Sequence, residues 1–128
     1  MNGITGITFD AGGMKALDRN NRKVLVLLAR AAELGVRVIV PAAALAHVLR
    51  NPSRQRRLIR LIRQAGTDVV PLNGPDATAV GLLLAETATL DIVDAHVVIC
   101  ARRAGQVVVT GNPKDIRRMG PELRLVAV

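Results

Sequence analysis

Two hydrophobic periods alternate along the chain. Short, largely apolar runs at residues 7–9, 36–40, 68–72, 107–109 and 123–128 show little polar alternation, as expected of parallel strands buried on both faces. Between them, apolar residues recur every three or four positions, as on one face of a helix. The clearest such stretch covers residues 22–34, with Val24, Leu27, Leu28 and Ala31 as the stripe and Gly35 as the stop. A first helical segment through Leu17 follows Asp10 and Ala11, turned by Gly12 and Gly13. Pro41 is placed to start the helix PAAALAHVLR, where its missing N–H costs nothing. Asn51 and Pro52 break that helix, Ser53 is placed to cap RQRRLIRLIRQAG, and Gly66 ends it. Pro75 opens a helix through GLLLAETA, Asp91 opens another through Arg103, and Asn112 with Pro113 start a short one before the last strand.

The predicted order is β-α-α-β-α-α-β-α-α-β-α-β. Strands regularly separated by helices predict a doubly wound α/β sandwich with right-handed crossovers and a mainly parallel sheet of about five strands. No repeat, low-complexity tract or linker interrupts the pattern. At 128 residues the chain is expected to form one domain over 1–128, burying roughly 65–70% of its unfolded surface.

Charge changes the picture more than overall composition does. Eighteen Lys and Arg against ten Asp and Glu leave +8, so a polyanion is the natural partner, nucleic acid first and an acidic protein segment second. Phe9 is the one aromatic residue, which excludes the base-stacking platforms of many RNA-binding folds and leaves arginine and backbone to make any such contact. Cys100, the single cysteine, lies in the apolar stretch VVICA and can form no internal disulfide, so a buried thiol in a reducing compartment is expected. No charged segment followed by an apolar one opens the chain, and no run approaches the roughly 18 apolar residues of a membrane span. A cytoplasmic protein without a membrane partner is expected.

Asp10, Asp91, Asp94 and Asp115 all fall where a predicted strand ends or a predicted helix begins. In an open parallel sheet the carboxyl ends of the strands share one edge, so side chains distant in sequence converge there. Converging carboxylates point to a divalent cation, because Asp oxygens are preferred ligands of Mg²⁺ or Mn²⁺ and little else offsets several negative charges brought together. A second reading stands beside this one. Asp91 with Asp94 three residues on is a capping-box arrangement, and negative charge at a helix N-terminus is favourable by about 0.3–1 kcal/mol. Asn112, Pro113 and Asp115 fit a cap, a first helical residue and a third-position acid. Asp10, directly after an apolar strand, either caps the Gly12–Gly13 turn or faces the crevice.

TFDAGGMKAL, VPAAALAHVLR, DIVDAHVVICARRAG and VVVTGNPKDIRRM, in that order, resemble the PIN-domain family, in particular the small VapC-type toxin ribonucleases of toxin–antitoxin pairs. The likeness covers essentially the whole chain and implies a PIN-like three-layer α/β/α sandwich. It implies metal-binding acids at Asp10 and Asp94, with Asp91 one turn away, and a hydroxyl at Thr110 near the metal or the scissile phosphate. Two positions depart from the family pattern. His47 stands where the family carries a Glu, and Asn112 where it carries an acid, with Asp115 three residues on as a supporting acid. Imidazole removes a charge and a hard oxygen ligand, which disfavours Mg²⁺ and suits Mn²⁺ or Zn²⁺.

Arg56, Arg60 and Arg63 share one helical stripe, with Arg57 beside it, opposite Leu58, Leu61 and Ile62. This arginine face, together with Arg54, suits RNA phosphates or an antitoxin's acidic tail, and so do the pairs Arg102–Arg103 and Arg117–Arg118. His96 lies on the far side of its helix from Asp94 and reads as packing or surface. Two functions therefore follow from the resemblance. The first is a toxin endoribonuclease that uses one or two Mg²⁺ or Mn²⁺ ions, is neutralised by a cognate antitoxin and forms a homodimer. The second is a degenerate PIN domain that binds RNA or antitoxin without cutting.

Overall fold

The computed structural model describes residues 5–128. Five strands, β1 (Gly6–Phe9), β2 (Arg37–Pro41), β3 (Thr67–Val70), β4 (Val107–Thr110) and β5 (Leu125–Ala127), form one parallel sheet in the order β3-β2-β1-β4-β5. Seven helices join them: α1 (Ala11–Asp18), α2 (Arg22–Leu34), α3 (Ala42–Val48), α4 (Arg56–Arg63), α5 (Gly74–Thr87), α6 (Ile92–Ala104) and α7 (Pro113–Met119). The predicted element order and the three-layer PIN-like α/β/α sandwich are both present. With right-handed crossovers, stepping from β1 through β2 to β3 puts α1–α4 on one face. The chain then returns past β1 to β4 and β5, which puts α5–α7 on the other.

That reversal makes the gap between β1 and β4 the topological switch point, where open α/β sheets place their ligand crevices. Both strands are buried throughout, with Ile7 opposite Val107 and Phe9 opposite Val109. Phe9 is fully enclosed, and α6 contributes Ala95, Val97, Val98 and Ala101 to the same core. The outer strands β3 and β5 are only partly covered, as sheet edges are.

Several local expectations shift. Pro41 ends β2, paired with Val70, and serves as N-cap of α3, so its fixed φ is used by the strand end as well as by the helix start. Ser53 caps nothing: its hydroxyl bonds Asn51, and α4 begins later, after Gln55. Asn73, two residues before Pro75, is the true cap of α5, accepting from the Asp76 N–H. Each strand has a limit that moves by one or two residues from the apolar run that predicts it. Among the described residues no helix is long and apolar enough to cross a membrane.

Candidate functional site

The first turn of α1 builds one half of the carboxyl-edge site. Asp10 is the N-cap of α1, and its Oδ1 accepts the Gly13 N–H at 2.7 Å and the Gly111 N–H at 3.3 Å, which ties the end of β1 to the loop after β4. Glycine is required at this junction. A Cβ on Gly12 would stand 2.6 Å from the Gly111 Cα, and one on Gly13 would stand 2.4 Å from the Val109 carbonyl. Asp10 is almost fully buried, and burial raises its pKa against the opposing hydrogen bonds from Thr110, Gly13 and Gly111.

The first turn of α6 builds the other half. Asp91 is its N-cap, accepting the Asp94 N–H at 2.9 Å, so the capping reading of Asp91 holds. Capping does not exhaust the acids. Asp94 is buried, and its carboxyl is pushed up to about 7, first by burial and then by the charges of Asp91, Asp10 and Asp115. Burial together with converging carboxylates produces such a shift.

Asp10, Asp91, Asp94, His47 and Asn112 line one cavity of about 250 Å³, together with Gly12, Gly111 and Lys15. Thr110 lies beneath, fully buried, its hydroxyl accepting the Asn112 N–H at 2.8 Å. Asn112 precedes α7 without a side-chain cap, contrary to its reading as a capping side chain; its amide donates to Asp115 at 2.5 Å instead. Asp115 is exposed and lines an adjoining cavity of about 290 Å³ with Asp91, Leu90, Arg118 and Met119. The six residues expected at the centre thus share one edge of the sheet, with Asp115 on its rim.

The basic groups divide. Arg56, Arg60 and Arg63 line an open groove of about 450 Å³ with Pro52, Ile59 and Gln64, and neither they nor Arg54 or Arg57 forms an ion pair among the described residues. The end of α4 leads into the amino end of β3, so this face lies toward the sheet edge opposite the acids. Arg102 and Arg103 do not form the free anion-binding pair expected from the sequence. Arg102 is held by Glu122 at 2.5 Å and Arg103 by Asp76 at 2.7 Å, so internal carboxylates satisfy both.

Two features were not singled out in the sequence. Lys15 sits one turn past Gly12 and brings an ammonium to the acid cavity; it lies within TFDAGGMKAL, but a lone Lys on a helix carries no signal of its own. Asp76 looks like an ordinary first-turn acid, yet it is buried against His96 at 2.7 Å and Arg103. His96 is accordingly a fully buried polar anchor and not a surface residue.

For a cation at the acid cavity, the donor set fits. Asp10, Asp94 and Asp91 provide hard oxygens, and their mutual repulsion, second to burial in raising Asp94, favours a cation among them.

Residues 14–120 match the model of the PIN domain. Among solved structures the chain is similar to VapBC2 from Rickettsia felis bound to a DNA fragment from the promoter, at 14% identity and TM-score 0.68 over 96% of this chain and 98% of that one. It is similar also to FitAcB from Neisseria gonorrhoeae, at 15% identity and TM-score 0.59 over 93% and 95%. A third is FitAB bound to an IR36 DNA fragment, at 13% identity and TM-score 0.62 over 94% of each chain. At such identities these likenesses establish the fold. No curated protein sequence matches the chain.

Proposed function

The chain belongs to the PIN-domain family, and on that premise we propose that it is a divalent-metal-dependent endoribonuclease, the toxin of a toxin–antitoxin pair. One observation carries the reading: Asp10 and Asp94, both buried, line one cavity at the switch point of the sheet, with the Asp94 carboxyl pushed up to about 7 by burial and then by its acidic neighbours. Asp10 and Asp94 would hold the cation, with Asp91 beside them and His47 and Asn112 as the neutral donors of the cavity. A bound Mn²⁺ or Mg²⁺ would supply polarisation of the phosphodiester and a lowered pKa for the attacking water.

The chain's own groups supply the rest. The Gly13 and Gly111 N–H groups fix the Asp10 carboxylate, so one ligand is oriented before any substrate arrives. Thr110 supports Asp10 through a further hydrogen bond. The N-termini of α1 and α6 direct positive dipole ends at the cavity, and Lys15 adds a full charge at its rim, so phosphate oxygens are drawn to the acids and not repelled by them. The arginines of α4, which form no ion pair among the described residues, would hold more distant phosphates of a structured RNA or an acidic antitoxin segment. The antitoxin belongs to this proposal through the VapBC2 and FitAB structures that share the fold, and the homodimer through the family resemblance alone.

The degenerate reading, binding without cutting, is favoured by one fact: two of the cavity's side chains, His47 and Asn112, carry no negative charge at neutral imidazole. A titration of Mn²⁺ and of Mg²⁺ against cleavage of a mixed RNA pool separates the two. Cleavage in Mn²⁺ that Asp10→Asn and Asp94→Asn each abolish supports the nuclease. Absence of metal binding at millimolar concentrations of either ion would sink it.

A further inference from the structure

On the side of α6 turned away from the acid cavity, Asp76, His96 and Cys100 bring a carboxylate oxygen, a ring nitrogen and a thiol sulfur within 4.8 Å of one another. All three residues are buried. His96 and Cys100 are four residues apart on α6 and therefore share one face, while Asp76 enters from the first turn of α5. The His96 Nε2 stands 2.7 Å from Asp76, but its Nδ1 is buried with no hydrogen-bond partner among the described residues. A wholly buried ring with an unused nitrogen is an expensive way merely to pack two helices, and it asks for an explanation. We propose that Asp76, His96 and Cys100 form a second metal site, selective for a thiophilic ion of the Zn²⁺ class and independent of the acid cavity.

The donor chemistry sets the ion. Sulfur, nitrogen and oxygen donors together suit Zn²⁺ or Co²⁺ and not Mg²⁺, which requires a shell of oxygens. Bond lengths of about 2.0–2.3 Å place tetrahedral ligands roughly 3.3–3.8 Å apart. The three donor atoms, within 4.8 Å of one another and with the Asp76 oxygen and His96 Nε2 at 2.7 Å, bracket that spacing, so the carboxylate and the ring part slightly as they take the ion. The cation now beside this carboxylate is Arg103, whose two guanidinium nitrogens stand 2.7 and 3.1 Å from the Asp76 oxygens and 4.0 Å, on one nitrogen, from the Cys100 sulfur. It is an exchangeable partner. The Arg103 side chain is 55% exposed, against 6% for that of Asp76, so it can withdraw to water without opening the core.

Charge balances on exchange. Without the ion, burial pushes the Cys100 thiol up to about 11 and it stays protonated, while Arg103 and His96 keep Asp76 ionised. Binding Zn²⁺ releases the thiol proton to solvent, leaves the metal neutralised by thiolate and carboxylate, and frees the guanidinium. No oxidant or further reactant is needed. The ion would fasten α5 to α6 where Asp76 and Arg103 now do.

Co²⁺ tests this directly, because Cys100 is the chain's single cysteine and a thiolate-to-cobalt charge-transfer band can come from no other site. Titration of the full chain should raise that band to saturation, and Zn²⁺ should erase it. The band should survive in the Asp10→Asn, Asp94→Asn double variant, which disables the acid cavity, and vanish in His96→Gln. No band, or a band that needs Asp10 and Asp94, overturns the proposal. Arg103→Ala guards against loss of folding in the buried variants, since it removes an exposed competitor and no ligand. It should bind Co²⁺ more tightly than the wild type, and equal or weaker binding also overturns the proposal.

Discussion

Replacing Asp94 by Asn should stabilise the metal-free protein at neutral pH. Asp94 titrates near 7 in the folded chain against 3.8 for the free side chain, chiefly through burial and then through Asp91, Asp10 and Asp115. A folded-state pKa raised by roughly three units means the native state holds the proton more tightly, worth on the order of 4 kcal/mol at its limit. The sign follows. This contribution is fully present below about pH 4 and is lost as pH rises through about 7. Because the neighbouring acids titrate with Asp94 and share the repulsion, an observed difference of about 2 kcal/mol is expected. Urea denaturation in a chelator, from about pH 4 to about pH 8, should give two curves that meet at the acid end, diverge as pH rises from about 4 to about 7 and keep a constant separation above, with Asp94→Asn the more stable. Asp76 does not confound this window. Its pKa is lowered by Arg103 and His96, so its contribution is constant above about pH 4 and falls away only in more acid solution. Mn²⁺ at a hundredfold excess over its Kd should restore about 3 kcal/mol to the wild type alone. Parallel curves for the two chains across the whole range would refute the crowding of acids on which the site rests.

His47→Glu should tighten Mg²⁺ binding by about tenfold or more, measured by calorimetry, because it returns a hard charged oxygen to the cavity wall; unchanged affinity would mean that position 47 does not reach the ion. Gly13→Ala should cost about 1–3 kcal/mol in thermal unfolding and weaken metal binding, since the added methyl would lie 2.4 Å from the Val109 carbonyl at the turn that aims Asp10. Asp76→Asn should destabilise by about 2 kcal/mol in urea, because it strips the buried His96 and half-exposed Arg103 of their shared carboxylate. Arg60→Ala with Arg63→Ala should reduce the slope of log affinity against log salt for RNA by about 1–2 while leaving metal binding at the acids unchanged, and an unaltered slope would exclude α4 from phosphate contact.

The fold was legible because two periodicities alternate and glycine, proline and asparagine punctuate them. The elements that slipped did so for a shared reason. Ser53 and Pro75 are good start residues by type, but Asn51 takes the Ser53 hydroxyl and Asn73 accepts the Asp76 N–H, and single-residue propensity does not decide between neighbours. At the site, Asp10, Asp91 and Asp94 could be placed at one sheet edge from topology alone. Whether they cap or ligate could not, because both roles use the same residue at the same helix position. Burial adds what spacing lacks: Asp91 is exposed and caps α6, Asp10 is buried and caps α1, and Asp94, three residues after Asp91, is enclosed beside its acidic neighbours. The Asp76–His96–Arg103 cluster joins residues up to 27 apart on two helices, and no spacing rule announces such a contact.

The basic surplus can be read the same way. The +8 of the chain predicts a polyanion, yet charge counted along the sequence does not say which arginines are free to meet one. Arg37, Arg102 and Arg103 are each engaged by a carboxylate within 4 Å, and their fields are largely cancelled at a distance. The arginines of α4 are not, and they stand together on one exposed face around Ile59. Lys15 and the helix N-termini draw an anion into the acid cavity, Arg118 lines the cavity beside it, and the arginines of α4 offer a separate basic groove. The α4 groove and the acid cavity share no lining residue, and a folded RNA is large enough to contact both at once. The arrangement thus favours structured RNA over short single strands by the affinity that the α4 face contributes. Removing that face should erase the preference without touching the acids.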